Sequence, residues 1–192
     1  GEVAELQRDR ERLSGLLDRL RQDLVTQQAV KVIEAEARIQ QRSFKSLKGK
    51  LSWPATGSLR ASYGASKGGG LRWDGALIDA PAGDDVRAIH GGRVVFADWL
   101  KGYGLLMILD HGDGYMSLYG YNQSLYRTTG EWVTAGEAIG AVGSSGGRLD
   151  SSLYFGIRHN GKPVDPARWC RRASGRRVGA VNDEYRRSDD AA

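Results

Sequence analysis

Five side chains in the glycine-rich part of the chain carry donor atoms that could hold a metal ion or move a proton: Asp74, Asp79, His90, His111 and His159. Imidazole nitrogens and carboxylate oxygens in a tetrahedral array, with one position left to water, make a hydrolytic zinc centre. Their spacing argues against that use. All three histidines stand beside glycine turns, at hairpin ends or strand entries, so they are read as surface or locally hydrogen-bonded residues. Asp74 and Asp79 are read as solvated loop carboxylates. Cys170 is the sole cysteine, which excludes an intramolecular disulfide and a cysteine-ligated zinc site. No cofactor is expected.

The elements that must position these residues fall into three regions. From Glu2 to Leu24, Val3, Leu6, Leu13, Leu17, Leu20 and Leu24 step by three and four, a coiled-coil seam of about three heptads. A second helix is expected from Gln27 to Lys48, folded back as a hairpin. Val30, Ile33, Ala37, Phe44 and Leu47 form one apolar stripe on it, and Val32, Ala35 and Ile39 a second, so it should touch two surfaces. Gly49 and Trp53-Pro54 end the helical part. Short β-rich runs then alternate with glycine turns, which predicts a compact, mainly antiparallel β domain over residues 49–172. The fold class is therefore α+β, a helical arm (1–48) followed by a small β domain.

Residues 173–192 are read as a disordered tail. Its neighbourhood holds Arg168, Arg171, Arg172, Arg176, Arg177, Arg186 and Arg187, and a solvated end is preferred to contact with an anionic polymer. Net charge is +5 at 40% hydrophobic and 27% charged residues, which suits a soluble globular chain. The basic balance has no aromatic interleaving or motif for nucleic acid, so no nucleic-acid partner is expected. The opening Gly1-Glu2-Val3-Ala4 has no signal-peptide pattern and reads as the cut end of a longer chain.

Several strings, in order, carry a resemblance. They are Asp85-Val86-Arg87-Ala88-Ile89, Gly102-Tyr103-Gly104, His111-Gly112-Asp113-Gly114-Tyr115, Gly136-Glu137-Ala138-Ile139-Gly140 and Leu153-Tyr154-Phe155. Residues 53–169 resemble a LytM-type domain, the fold of the lysostaphin-like zinc endopeptidases. That resemblance implies a His-x-Gly-x-Asp slot, a Tyr-x-His string and a His-x-His pair. Here the slot reads Trp73-Asp74-Gly75-Ala76-Leu77, the string Tyr119-Gly120-Tyr121, and the pair Ser152-Leu153-Tyr154. Indole and isobutyl groups offer no lone pair to a metal. No catalytic or metal residue is therefore expected.

With a helical arm and a ruined metal site, the chain resembles the LytM-type activators of cell-wall amidases. The resemblance implies a groove of Trp73, Asp74, Leu77, Tyr103, Leu106, Tyr119, Tyr121, Tyr154 and Arg158 that binds a zinc N-acetylmuramoyl-L-alanine amidase. It implies a helix, carrying Val30, Ile33, Ala37, Phe44 and Leu47, that covers the groove until the FtsEX complex acts on the coiled coil. It also implies the periplasm of a Gram-negative bacterium, at the division septum. Asp74 stands where a basic rim residue would be expected. Two other readings are a peptidoglycan-binding module and a residual metallo-endopeptidase. Plugging of a vacated cavity by the aromatic residues predicts the same sequence pattern as partner contact.

Overall fold

The computed structural model describes residues 1–179 and divides into two units, residues 1–35 and the remainder from Glu36. One helix, α1 (Glu2–Arg42), replaces the expected hairpin of two. No glycine or proline interrupts the chain between Gly15 and Gly49, so nothing in the backbone forces a turn near Val25. Thr26 Oγ1 bonds back to the Gln22 carbonyl (3.0 Å), the way a hydroxyl is accommodated inside a helix. Glu2 and Glu5 in the first turn and Arg42 in the last match the helix dipole. Val3, Leu6, Leu13, Leu17, Leu20 and Leu24 are all exposed, and among the described residues no helix is long and apolar enough to cross a membrane.

The helix stops at Ser43, whose hydroxyl donates to the Gln40 carbonyl (2.9 Å), and a single 3-10 turn follows at Phe44–Leu47. Strands then succeed one another: β1 (Gly57–Ala61), β2 (Ser66–Gly68), β3 (Leu71–Arg72), β4 (Ala76–Asp79), β5 (Asp85–Arg87), β6 (Gly92–Leu100) and β7 (Gly104–Asp110). They continue as β8 (Tyr115–Asn122), β9 (Ser124–Leu125), β10 (Trp132–Val133), β11 (Ala138–Ala141), β12 (Ser152–His159), β13 (Lys162–Val164) and β14 (Arg177–Val178). The main sheet runs β10-β6-β7-β8-β12-β4-β1-β14, with β13 on β12; β5-β11-β9 form a second, small sheet. Every pairing in both is antiparallel.

Because side chains alternate along a strand, the main sheet has two differently used faces. Ala76 and Ile78, Met107 and Leu109, and Leu153, Phe155 and Ile157 point into the large core with Phe44, Trp53, Val86, Ile139 and Trp169. Leu77, Leu106, Leu118 and Tyr154 point to the other face and form a second cluster with Trp73 and Tyr121.

The tail reading is corrected for residues 173–179. Val178 is buried in the main core, and Gly57↔Val178 and Ser58↔Arg177 pair β14 with β1. The apolar Val178 side chain closes the open edge of β1, which the surrounding arginines hid from a composition argument. Arg186 and Arg187 lie outside the described residues.

The residues expected to cover the groove are also placed differently. Phe44 stacks on His111 (centroids 4.6 Å, 13°) and Trp169 (5.1 Å, 21°), and Leu47 packs on the same core. Ala37 is fully buried with its carbonyl against Gly91, where an added Cβ would stand 2.5 Å from the Gln40 Cβ. The three-four rhythm of these residues is real, but it records packing on the core face. Phe44 and Leu47 lie on the side of the sheet opposite the second cluster. Val30 and Ile33, in the first unit, are exposed.

Candidate functional site

The second cluster is built on three neighbouring strands. Tyr154 of β12 pairs with Leu77 of β4 on one side and Gly120 of β8 on the other. Its ring needs glycine neighbours: an added Cβ at Gly75 would come within 2.9 Å of Tyr154 Cε2, and one at Gly156 within 2.8 Å of its hydroxyl. Trp73 is held just before β4 by backbone bonds with the preceding turn, its N–H to the Ala65 carbonyl (2.9 Å) and its carbonyl from the Gly64 N–H (2.8 Å).

Leu77, Leu106, Tyr121 and Tyr154 are nearly fully buried, and Trp73 is 8% exposed. They form one closely packed apolar floor. Among the described residues no group of three or more His, Cys, Asp or Glu gathers where it could hold a metal ion.

Above this floor lie half-exposed polar groups. Tyr154 Oη donates to Asp74 Oδ1 (2.8 Å), and Arg158 donates to Asp74 Oδ2 (3.2 Å). Asp74 is thus a buttress, not the solvated loop carboxylate expected. Tyr103 packs edge-on against Tyr154 (5.1 Å). Burial, and then the Asp74 carboxylate, raise both the Tyr103 and Tyr154 phenols above their ordinary range, so both are neutral. Asp79 is likewise paired, accepting from Arg60 Nε (2.7 Å).

Tyr119 does not belong here. It is wholly buried in the main core, near Phe155 (5.8 Å), and its hydroxyl accepts from the Ile89 N–H (3.1 Å). Simple alternation would put Tyr119 and Tyr121 on one face. A β-bulge sets both Gly120 and Tyr121 opposite Leu106, and Tyr121 takes φ 65°, which turns its ring to the other side.

The histidines are not surface residues: His90 and His111 are buried, and His159 is half-buried. His90 and His111 sit beneath the end of α1, with rings 6.3 Å apart, while His159 stacks on Tyr115 at 4.0 Å. His90 Nε2 bonds the Gln40 carbonyl and faces Ser43 Oγ. His111 Nδ1 bonds the Gly91 carbonyl (2.8 Å), and its Nε2 meets Ser117 Oγ (2.6 Å). A carbonyl only accepts, so Nδ1 carries the proton and Nε2 takes the Ser117 hydroxyl. A second proton, on Nε2, would turn the Ser117 hydroxyl from donor to acceptor.

Burial accordingly drives the His111 pKa down to about 3, and that of His90 down as well. The unfolded chain takes up a proton below about pH 6.5 that the folded chain refuses until about pH 3. Stability is then complete above about 6.5 and declines as pH falls through that window. His111 alone should remove about 2 kcal/mol between pH 7 and pH 5. Urea midpoints at the two pH values check this; His111→Gln should be less sensitive to pH, and identical slopes in variant and parent would refute the assignment.

Two residues of the site were missed in the sequence. Lys67 Nζ lies 4.5 Å from the Trp73 ring centroid, and the Arg148 guanidinium lies 5.9 Å from Trp73 and 5.0 Å from Tyr121. Lys67 precedes a triple-glycine turn that folds it back toward Trp73, a signal available only once β2 and β3 are paired.

An antiparallel sheet that buries one face in the main core and carries a second, aromatic-rich cluster on the other has the fold of a LytM-type peptidase domain. Residues 72–166 match peptidase family M23, and the β domain of this chain belongs to that family. Its relatives include the Escherichia coli (strain K12) murein hydrolase activator EnvC, 50% identical over 125 residues, covering 65% of this chain and 30% of EnvC. The E. coli murein hydrolase activator NlpD is 38% identical over 118 residues, covering 61% of this chain and 30% of NlpD. The chain thus spans about a third of the length of these relatives. Among solved structures, a catalytic-domain variant of the prophage-encoded M23 protein EnpA from Enterococcus faecalis superposes with a TM-score of 0.53 at 26% identity, covering 63% of this chain and 95% of that one.

Proposed function

We propose that the chain is a non-catalytic activator of periplasmic N-acetylmuramoyl-L-alanine amidases that split septal peptidoglycan. The observation that carries this is the packed cluster: Trp73, Leu77, Tyr121 and Tyr154 bury one another beneath a half-exposed rim of Asp74, Tyr103 and Arg158, and with Ser152 they are the residues that the family resemblance sets at the donor positions. Aromatic side chains with polar tips beside an arginine are the usual energetic centre of a protein interface. The plugging and docking roles are divided by depth. The buried rings keep the cleft rigid, and the rim meets the amidase.

The names of the two relatives support the activator reading. Docking would draw an inhibitory segment of the amidase out of its own zinc site, so that the activator supplies binding energy and the amidase all of the chemistry. The helical arm is the regulatory element of this proposal, held in a closed state until FtsEX engages the coiled coil. If the closed state dominates, apparent affinity falls by the fraction of open molecules, and freeing the arm restores it.

Removing residues 1–35 should raise amidase activation several-fold, read as dye released from labelled sacculi. Residues 36–47 must stay, because Ala37, Gln40, Gln41 and Phe44 belong to the packing of the β domain. Equal activation by truncated and whole chains would remove masking from the account and leave docking intact.

A further inference from the structure

We infer that the cleft receives an acidic side chain from a protein segment, seated between Lys67 and Arg148 over the Trp73 indole. This rests on the docking function proposed above and specifies what docks. The argument is one of unbalanced charge. Lys67 Nζ stands 4.5 Å and the Arg148 guanidinium 5.9 Å from the same ring. A ring face attracts a cation, but two cations sharing one indole repel each other.

Neither cation has a carboxylate within ion-pair distance among the described residues. The acid of this cluster, Asp74, is bonded to Tyr154 and Arg158 and makes no ion pair with either cation. Lys67, Arg148 and Arg158 thus face a single carboxylate. In addition, Arg148 Nε is buried with no hydrogen-bond acceptor, an arrangement that costs stability.

The backbone is also committed to this arrangement. Tyr121 holds a left-handed conformation, φ 65°, that aromatic residues rarely adopt, and by doing so places its ring 5.0 Å from Arg148. Strain retained beside an unneutralised guanidinium marks a binding position. A carboxylate fits it: the planar guanidinium can donate to both of its oxygens while the lysine adds a point charge.

The surroundings favour a protein segment as its carrier. Trp73 forms an apolar floor, Phe96 and Ile108 pack at its side, and the chain flanking Trp73 and Arg148 exposes Leu71 (65%) and Leu149 (99%). An amphipathic segment with an Asp or Glu among aliphatic side chains matches both features. Asp74 leaves the rim without the basic residue expected there; Lys67 and Arg148, against the Trp73 ring, supply positive charge beside it.

The test is binding of a purified zinc N-acetylmuramoyl-L-alanine amidase to the full chain by calorimetry at low and high salt, about 25 and about 300 mM. Wild type should weaken at least about tenfold between the two salts. The double variant Lys67→Gln, Arg148→Gln should bind at least about tenfold more weakly than wild type at low salt and lose most of the salt response. Arg148→Lys, which keeps the charge but not the paired donors, should fall between them, and all variants should keep the near-UV circular dichroism of wild type.

Wild-type affinity in the double variant would overturn the acidic-segment inference and leave the amidase function standing. An amidase that binds neither wild type nor the chain lacking residues 1–35 would overturn both. Soluble muropeptides that compete with the amidase in an Arg148-dependent way would assign the carboxylate to the cell wall and overturn the protein segment.

Discussion

Replacing Phe44 by Ala is expected to destabilise the β domain by about 3–5 kcal/mol, the range for emptying a buried phenylalanine site. For a chain of this length that is a fall in Tm of roughly 10 °C. Phe44 is 1% exposed and touches four rings: His111 at 4.6 Å, Tyr115 and Trp169 at 5.1 Å, and His90 at 5.8 Å. Few neighbours could collapse into the gap, because His111 is fixed by Gly91 and Ser117, and Trp169 by its place between Tyr115 and the turn itself. Scanning calorimetry with urea melts reads the effect. A loss below about 1 kcal/mol would mean that the turn is not part of the core, and residues 36–47 could then be deleted without harm. This matters for function, since any test of the arm that removes Phe44 would confuse unmasking with unfolding.

Arg158→Glu should reduce amidase affinity more than about tenfold while changing stability by less than about 1 kcal/mol, because the broken Asp74 pair is partly solvated. The Arg158 side chain is 27% exposed and bonds Asp74 at 3.2 Å. Reversal sets a second carboxylate against Asp74 and takes the guanidinium away from that bank of the cleft. Tyr154 Oη still donates to Asp74, so the floor stays closed.

Tyr154→Ala is a poorer probe. Tyr154 is 1% exposed, and its removal empties the cluster that Gly75, Gly120 and Gly156 are shaped around. Tyr154→Phe deletes only the hydroxyl and should retain most of the affinity. Isothermal titration of the three variants, beside their melting curves, separates the roles; wild-type binding by Arg158→Glu would move the docking surface elsewhere.

The β domain was legible because its turns are punctuated by glycine and its strand strings occur in order. The convergence of Trp73, Leu77, Tyr121 and Tyr154 was legible for the same reason, since each occupies a motif position with fixed register. Tyr119 was misplaced because the bulge at Gly120-Tyr121 breaks the two-residue period, and a positive φ at tyrosine leaves no trace in composition. Phe44 was misread for a different reason. A three-four rhythm reports a buried face but not which surface buries it, and the rhythm ran on past Ser43 into a 3-10 turn. β14 was hidden because two residues, Arg177 and Val178, are too short a strand for any periodicity. Lys67 and Arg148 lie far apart in the chain and meet only over Trp73, a contact that no local pattern announces.

Hydrolysis of purified sacculi by a self-inhibited zinc amidase, measured with and without this chain, bears most directly on the cleft as a docking surface. The account predicts no release by the chain alone, little by the amidase alone, and release many times greater by the two together. Zinc-dependent cutting of peptide bridges by the chain alone, or no gain on mixing even with residues 1–35 removed, would contradict it.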